Sequence, residues 1–535
     1  MFFTSYEFLG FAALLFLAYY LIPKKYQWQL LLAASYIFYF IAGAEYLIYI
    51  LVTTLTTYFA ALKIEQNALR QSDYLKEHKE GMSKDEKRAY KDGCKKVRLR
   101  WLCACIILNI GILAVVKYTN FFISNVNGIL NAFGNTKQLS FMTLALPMGI
   151  SFYTFQAMGY LIDVYRGTVK AQGNPFKFAL FVSFFPQLIQ GPISRYGDLG
   201  ASLYGEHAFD SKTVCYGLQR MLWGYFKKMV IADRVLIGVN TIIGTYTASG
   251  ELAYQGIYVF VGMILYTLEL YADFTGGIDI TIGIAETMGI TVKENFNRPY
   301  FSKSLKEYWR RWHISMCDWF RDYVFYPVSS SKAMQKFTKF SRKHFGEKSG
   351  RRLPVYVSSF VVWFATGIWH GASWNFIVWG LGNWAVLMVS EELEPLYARF
   401  HNRVNVGGKA AYKIFQIART FLLVCVLNIF DCYPTLALTF KAIASMFNIS
   451  NWKMPFALDM KNIGLTSLDY IIVAIGALVM LGVSLWQRDG SVREKIVAKP
   501  YPIRFIIWYG LFLVILLMGA YGTGYDASQF IYNRF

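Results

Sequence analysis

Residues 355–389 read VYVSSFVVWFATGIWHGASWNFIVWGLGNWAVLMV, a stretch with no Asp, Glu, Lys or Arg. Folded once at Gly371-Ala372-Ser373, it supplies two apolar segments, 355–369 and 373–389, each close to the length that crosses a bilayer as a helix. His370 falls at their join, so an imidazole is reached before any solvated loop intervenes. A polar group at membrane depth is costly and is a functional candidate by default. A buried imidazole stays neutral and can accept a proton. Taken alone it is more often a core residue bonded to a backbone carbonyl. The flanking glycines, which permit close backbone approach, and tryptophans, which build rigid walls, tilt the reading toward function.

The same pattern recurs outward in both directions. Apolar runs fall at 6–22, 28–40, 46–62, 101–117, 144–162, 216–235, 252–271, 414–431, 468–486 and 505–521, and the charge lies between them. Only 16% of the residues are charged and 55% are hydrophobic, with a mean hydropathy of +0.34. A soluble domain would carry roughly a quarter charged residues, so the chain is an all-α polytopic membrane protein of about eleven crossings. Abundant aromatics exclude disorder, and seven cysteines, several within apolar runs (Cys103, Cys105, Cys425), exclude a disulfide-stapled secreted domain. The first run lacks a cleavage site and is expected to be retained. The net charge of +21 sits in the polar segments 63–100, 332–352, 399–413 and 488–504, which the positive-inside rule assigns to the cytoplasm, with both termini outside and no nucleic-acid partner. Segment 63–100 mixes both signs at helical spacing and predicts a solvated helical hairpin.

Three further places interrupt the apolar pattern. Residues 176–190 are too short and too broken by Pro186, Gln187, Gln190 and Pro192 beyond it to cross, which predicts a re-entrant element. Residues 271–280, YADFTGGIDI, hold Asp273 and Asp279 around a Gly pair. They predict a broken helix whose carboxylates are met by backbone N–H groups or Arg, with catalysis the minority reading. Residues 301–323 carry His313 and place Tyr308, Trp312, Met316, Trp319 and Tyr323 at helical spacing, an aromatic face opposite Arg310, Arg311, Asp318 and Arg321. This predicts a helix lying in the interface plane, possessed of a His that is either functional or incidental. His78, His207, His344 and His401 lie in polar segments and read as solvated.

Taken in order, LPMGISFYTFQ (146–156), SFFPQ (183–187) with GPI (191–193), DFTG (273–276), ENFNRPY (294–300), WRRWH (309–313) and WHG (369–371) closely resemble the membrane-bound O-acyltransferase family. Within it, the stretch WHGASWNF (369–376) resembles the bacterial branch that acetylates extracellular polysaccharide more than the D-alanylating branch. The resemblance implies that fold, with a core at 141–392 between N-terminal spans and cytoplasmic hairpin at 1–140 and C-terminal spans at 393–535. It implies His370 as catalytic histidine and His313 as the second, with Trp309, Arg310, Trp312, Asn295, Asp318, Trp374 and Asn375 meeting substrate. It further implies no metal and no permanently bound cofactor, acetyl-CoA or another acyl thioester as donor, a polysaccharide acceptor, a secreted SGNH-type acetyltransferase partner and a bacterial inner-membrane location. Two departures are the long basic insertion at 329–352 and GLGN (380–383), which lacks a His often found there. Acylation of a lipid, protein or D-alanyl acceptor stays open, as does a transporter or flippase. That last reading expects paired repeats with matching broken helices, which the chain does not display.

Overall fold

The computed structural model describes residues 1–535 except 136, 145, 248, 405, 407, 453–462, 522–525 and 527–535. The described residues form helices, with one isolated bridge between Tyr246 and Leu252. Seven helical stretches among them are long and apolar enough to cross a membrane, and shorter apolar helices accompany these. The chain divides into two compact units, residues 1–217 with 284–293, and residues 218–283 with 294–535.

The first unit begins with α1 (Tyr6–Leu21), α2 (Gln27–Ala42), α3 (Leu47–Glu77) and α4 (Lys84–Ala132). The polar segment 63–100 is a helical hairpin, and its two limbs are the continuations of α3 and α4 rather than a separate insertion. Ser83 and Glu86 cap α4 reciprocally, and Arg98 donates to Gln71 at 2.8 Å across the limbs. α4 runs on to Ala132, beyond the apolar run 101–117, because nothing between 118 and 132 is a Pro and the polar residues there bond locally or to the following stretch of chain. The unit continues with α5 (Ile150–Arg166), α6 (Pro175–Ser183), α7 (Phe185–Gln190), α8 (Tyr196–Leu203) and the first turns of α9 (Ser211–Tyr225). The expected interruption lies at Phe184, between α6 and α7. Buried side chains replace the lost helical bonds: Gln156 donates to the Phe181 carbonyl at 2.6 Å, Ser35 accepts from the Phe185 N–H at 3.2 Å, and Gln187 donates to Ser194 at 2.6 Å. Irregular backbone is tolerated in an apolar interior only on such terms.

The second unit holds α10 (Asp233–Gly244), reached from α9 through a π-helical turn at Phe226–Ala232, and α11 (Ile257–Thr287). Here the structure corrects the sequence reading of 271–280. α11 is unbroken, and Gly276 serves packing: a Cβ on Gly224 would lie 2.6 Å from the Gly276 carbonyl oxygen, so only glycine lets the two backbones meet. Asp279 has the arginine partner expected, Arg220 at 2.9 Å, which also reaches Glu294 (2.5 Å), but lysines pair with both carboxylates, Lys227 with Asp279 at 2.5 Å and Lys228 with Asp273 at 2.5 Å. Lys228 also meets Asp233 at 2.7 Å. Buried charges persist in such surroundings because each has an opposite partner within bonding distance.

The unit continues through α12 (Leu305–Tyr308), α13 (Ile314–Phe320), α14 (Tyr326–Ser329), α15 (Lys332–His370) and α16 (Trp374–Glu392). Then follow α17 (Glu394–Val404), α18 (Ala410–Asn428), α19 (Leu436–Met446), α20 (Ser467–Trp486), α21 (Val492–Val497) and α22 (Tyr501–Met518). One feature here goes beyond the sequence reading and one corrects it. The basic segment 332–352 is helical, forming the first half of α15 with a kink at Gly346 (φ 77°), where Arg342 and Arg351 both pair with Glu347. The continuous aromatic helix expected over 301–323 is instead short helices separated by a turn, because His313 adopts a left-handed backbone that no helix can include.

Candidate active site

Asn297 and Ile314 tie two irregular segments together. The Asn297 N–H donates to the Arg311 carbonyl at 2.9 Å and the Ile314 N–H to the Asn295 carbonyl at 3.0 Å. This pairing holds His313 at φ 46°, one of two non-glycine residues among those described with positive φ, the other being Arg298 in the same pair of segments. A left-handed non-glycine costs about 1–3 kcal/mol and persists only where its surroundings overdetermine it. His313 is 1% exposed. The edge of its ring meets Phe274 of α11 at 4.9 Å between centroids, and Asn295 Nδ2 lies 3.2 Å from its Nδ1.

His370 ends α15 and is partly buried. Its ring packs edge-on against Trp379 of α16 at 4.5 Å and Trp369 at 5.1 Å, with Phe376 parallel at 6.4 Å. The glycines around it perform the expected service: a Cβ on Gly371 would overlap the Phe376 ring, and one on Gly380 would overlap the Trp363 carbonyl, so α15 and α16 approach at backbone contact. Trp369 joins the two histidines, its ring centre 6.1 Å from that of His313. The 57 positions between them in sequence vanish in space, and one indole serves both imidazoles.

The other expected residues divide. Trp309 belongs to the cluster, 5.7 Å from Trp379 and 4.9 Å from Trp363, with its Nε1 donating to Asn383 Oδ1 at 3.1 Å. Trp312 is buried beside His313, stacked on Tyr308 (5.6 Å) and edge-to-face with Phe296 (5.0 Å). Asn295 is fully buried and bonded to protein at both ends of its amide. Asp318 pairs with Arg321 at 2.8 Å. Asn375 donates to the Tyr433 carbonyl at 2.6 Å and to Thr439 at 3.1 Å, a tie between helices. Arg310 and Trp374 are exposed. Three contributors were passed over in sequence: Trp369 and Trp379, which read as pocket wall without a named role, and Asn383, in the segment noted only for lacking a His. An Asn in an apolar run four residues beyond a Trp was the available signal.

Cys317, one turn beyond His313, is held protonated: burial, then the neighbouring Asp318, pushes its thiol up to about 12. Among the described residues no three His, Cys, Asp or Glu side chains converge to hold a metal ion. The arrangement offers two imidazoles and aromatic walls, which suits proton transfer and carbonyl polarisation rather than nucleophilic attack by sulfur.

The profile described as MBOAT, membrane-bound O-acyltransferase family, matches residues 171–342. The chain is 30% identical over 484 residues to the probable alginate O-acetylase AlgI of Azotobacter vinelandii, covering 89% of this chain and 84% of that one. It is 30% identical over 398 residues to the peptidoglycan O-acetyltransferase of Helicobacter pylori (69% and 66% covered) and 30% over 246 residues to the teichoic acid D-alanyltransferase of Bacillus subtilis (45% and 58%).

Proposed function

The chain belongs to the membrane-bound O-acyltransferase family, and from that premise we propose that it carries an acetyl group from a cytoplasmic thioester, acetyl-CoA, to hydroxyls of an extracellular or cell-wall polysaccharide. It is a multi-pass membrane O-acyltransferase, and we place it in the bacterial inner membrane. The relatives whose names specify alginate and peptidoglycan acetylation match over more of the chain than the D-alanylating one, which favours acetyl over D-alanyl.

His370 acts as general base, taking the proton of the acceptor hydroxyl as its oxygen attacks the thioester carbonyl. His313 faces the carbonyl oxygen, where negative charge develops. When the tetrahedral intermediate collapses, the thiolate leaves and takes the proton back from His370. The acceptor is either the polymer itself or a residue of a secreted SGNH-type acetyltransferase that relays the group onward. The observation that supports this reading is the single indole of Trp369 lying against both imidazoles in a cluster walled by aromatic rings. The protonated Cys317 favours direct transfer over an acyl-enzyme at that sulfur.

The test is transfer of labelled acetyl from acetyl-CoA by the full chain in proteoliposomes, with polymer outside and the secreted partner present or absent. His370→Ala is expected to lose about 10²- to 10⁴-fold in rate at equal abundance and unchanged melting temperature. Near wild-type transfer in that variant removes the general-base role.

A further inference from the structure

Asn295 Oδ1 lies 3.0 Å from the backbone N of Ser315 and 2.9 Å from its hydroxyl. A backbone N–H only donates, so the Asn295 atom facing it is the oxygen and the amide cannot be reversed. Its Nδ2 then necessarily faces His313, 3.2 Å from Nδ1. An amide NH₂ also only donates, and the shorter contact is met when Nδ1 offers its lone pair. The alternative contact, Nδ1 to Asn295 Oδ1, is longer at 3.4 Å, and that oxygen already accepts from both the N–H and the hydroxyl of Ser315.

We infer that Asn295 is a positioning residue that fixes the neutral proton of His313 on Nε2, making this imidazole a hydrogen-bond donor to the reacting carbonyl oxygen rather than a second base. The inference rests on the acyl-transfer reading only for the identity of the acceptor oxygen; the tautomer follows from the hydrogen bonds themselves. It divides the labour between the histidines. In the attack step the acceptor O–H bond breaks, its proton passes to His370, the new C–O bond forms, and the carbonyl oxygen that gains the electron pair accepts the Nε2–H of His313. The same Asn295 holds the His313 backbone through its carbonyl, 3.0 Å from the Ile314 N–H, so one residue sets both the ring's protonation and its direction.

The full chain, labelled with ¹⁵N-histidine and reconstituted in lipid nanodiscs, reads the tautomer directly, with the His313 signals identified by their loss in His313→Gln. The wild type is expected to show an unprotonated Nδ1 and a protonated Nε2. Asn295→Asp, of the same shape, presents a carboxylate oxygen where the NH₂ was; Nδ1 should become protonated, and acetyl transfer should fall about tenfold or more in kcat with little change in KM for the donor. Asn295→Ala removes the bias and should give both tautomers. A wild-type spectrum with Nδ1 protonated overturns the inference without any variant having to fold, as does an Asn295→Asp protein that keeps the wild-type nitrogen pattern. A wild type with the expected pattern that transfers no acyl group supports the tautomer and removes the acyl-transfer reading.

Discussion

His313 combines a left-handed backbone with a ring shut away from water, and the two demands separate its substitutes. If the residue donates a hydrogen bond to the carbonyl oxygen, His313→Asn should retain more activity than His313→Ala. Asn keeps an N–H donor of similar reach and is also among the non-glycine residues that best tolerate the left-handed region, whereas Ala offers neither. Rates of acetyl transfer at matched abundance decide this, and equal, complete loss in both would point to an obligatory proton transfer at His313. A pH dependence follows as well. His313, which lies outside the spanning helices, titrates well below the ordinary imidazole range, first because of burial and then because of the nearby His370. The unfolded chain therefore binds this proton more readily than the folded one. The stability contributed by the neutral ring is fully present above about pH 6.5 and is lost as pH falls below it, at up to about 1.4 kcal/mol per pH unit. Melting temperature in detergent between about pH 8 and 5 should decline on the acid side, and His313→Gln should flatten that decline.

At the scale of elements, close approach between helices carries the architecture around the site. A Cβ on Gly224 would stand 2.6 Å from the Gly276 oxygen and 2.8 Å from Ile280. Gly224→Ala is therefore expected to lower stability by about 1–3 kcal/mol through overpacking, and to reduce activity because α11 also carries Phe274 against His313. Gly482→Ala on α20, where a Cβ meets nothing within 4 Å, is the matched control and should be neutral or mildly stabilising. Equal melting temperatures for the two variants would refute the packing role. The same comparison shows why the Gly pair at 276–277 misleads in sequence. A glycine is equally compatible with a break and with a tight crossing, and the choice belongs to the opposing helix. The turn at 309–313 misleads for a related reason: helical spacing of the aromatics persists through it, while the force that breaks the helix, pairing with 295–297, comes from outside the segment.

At the scale of the molecule, charge placement predicts sidedness. Each of the basic segments 63–100, 332–352 and 488–504 should be protected from an impermeant thiol reagent in intact cells. In a background without the seven native cysteines, Glu80→Cys and Phe340→Cys, both exposed, should label only after permeabilisation, and Glu45→Cys should label before it. Labelling of position 340 in intact cells would reverse the assignment. The membrane class, the helical character and the family were all legible in the residues, because apolar run length and short ordered motifs are properties of neighbouring positions. The break at Phe184 was legible too, since Pro186 and the glutamines signal it locally. Other features were not: the unbroken course of α11, the lysine partners of Asp273 and Asp279, and the helical form of the basic segment in α15. Nor was the role of Asn383 beside Trp309. Run length and composition, summed along the chain, determined that this protein lives in a bilayer and which residues are out of place there. Only the tertiary structure decided which of those residues meet, because a buried polar group must find a partner, and that partner lies 18, 45 or 74 positions away, where no local pattern reaches.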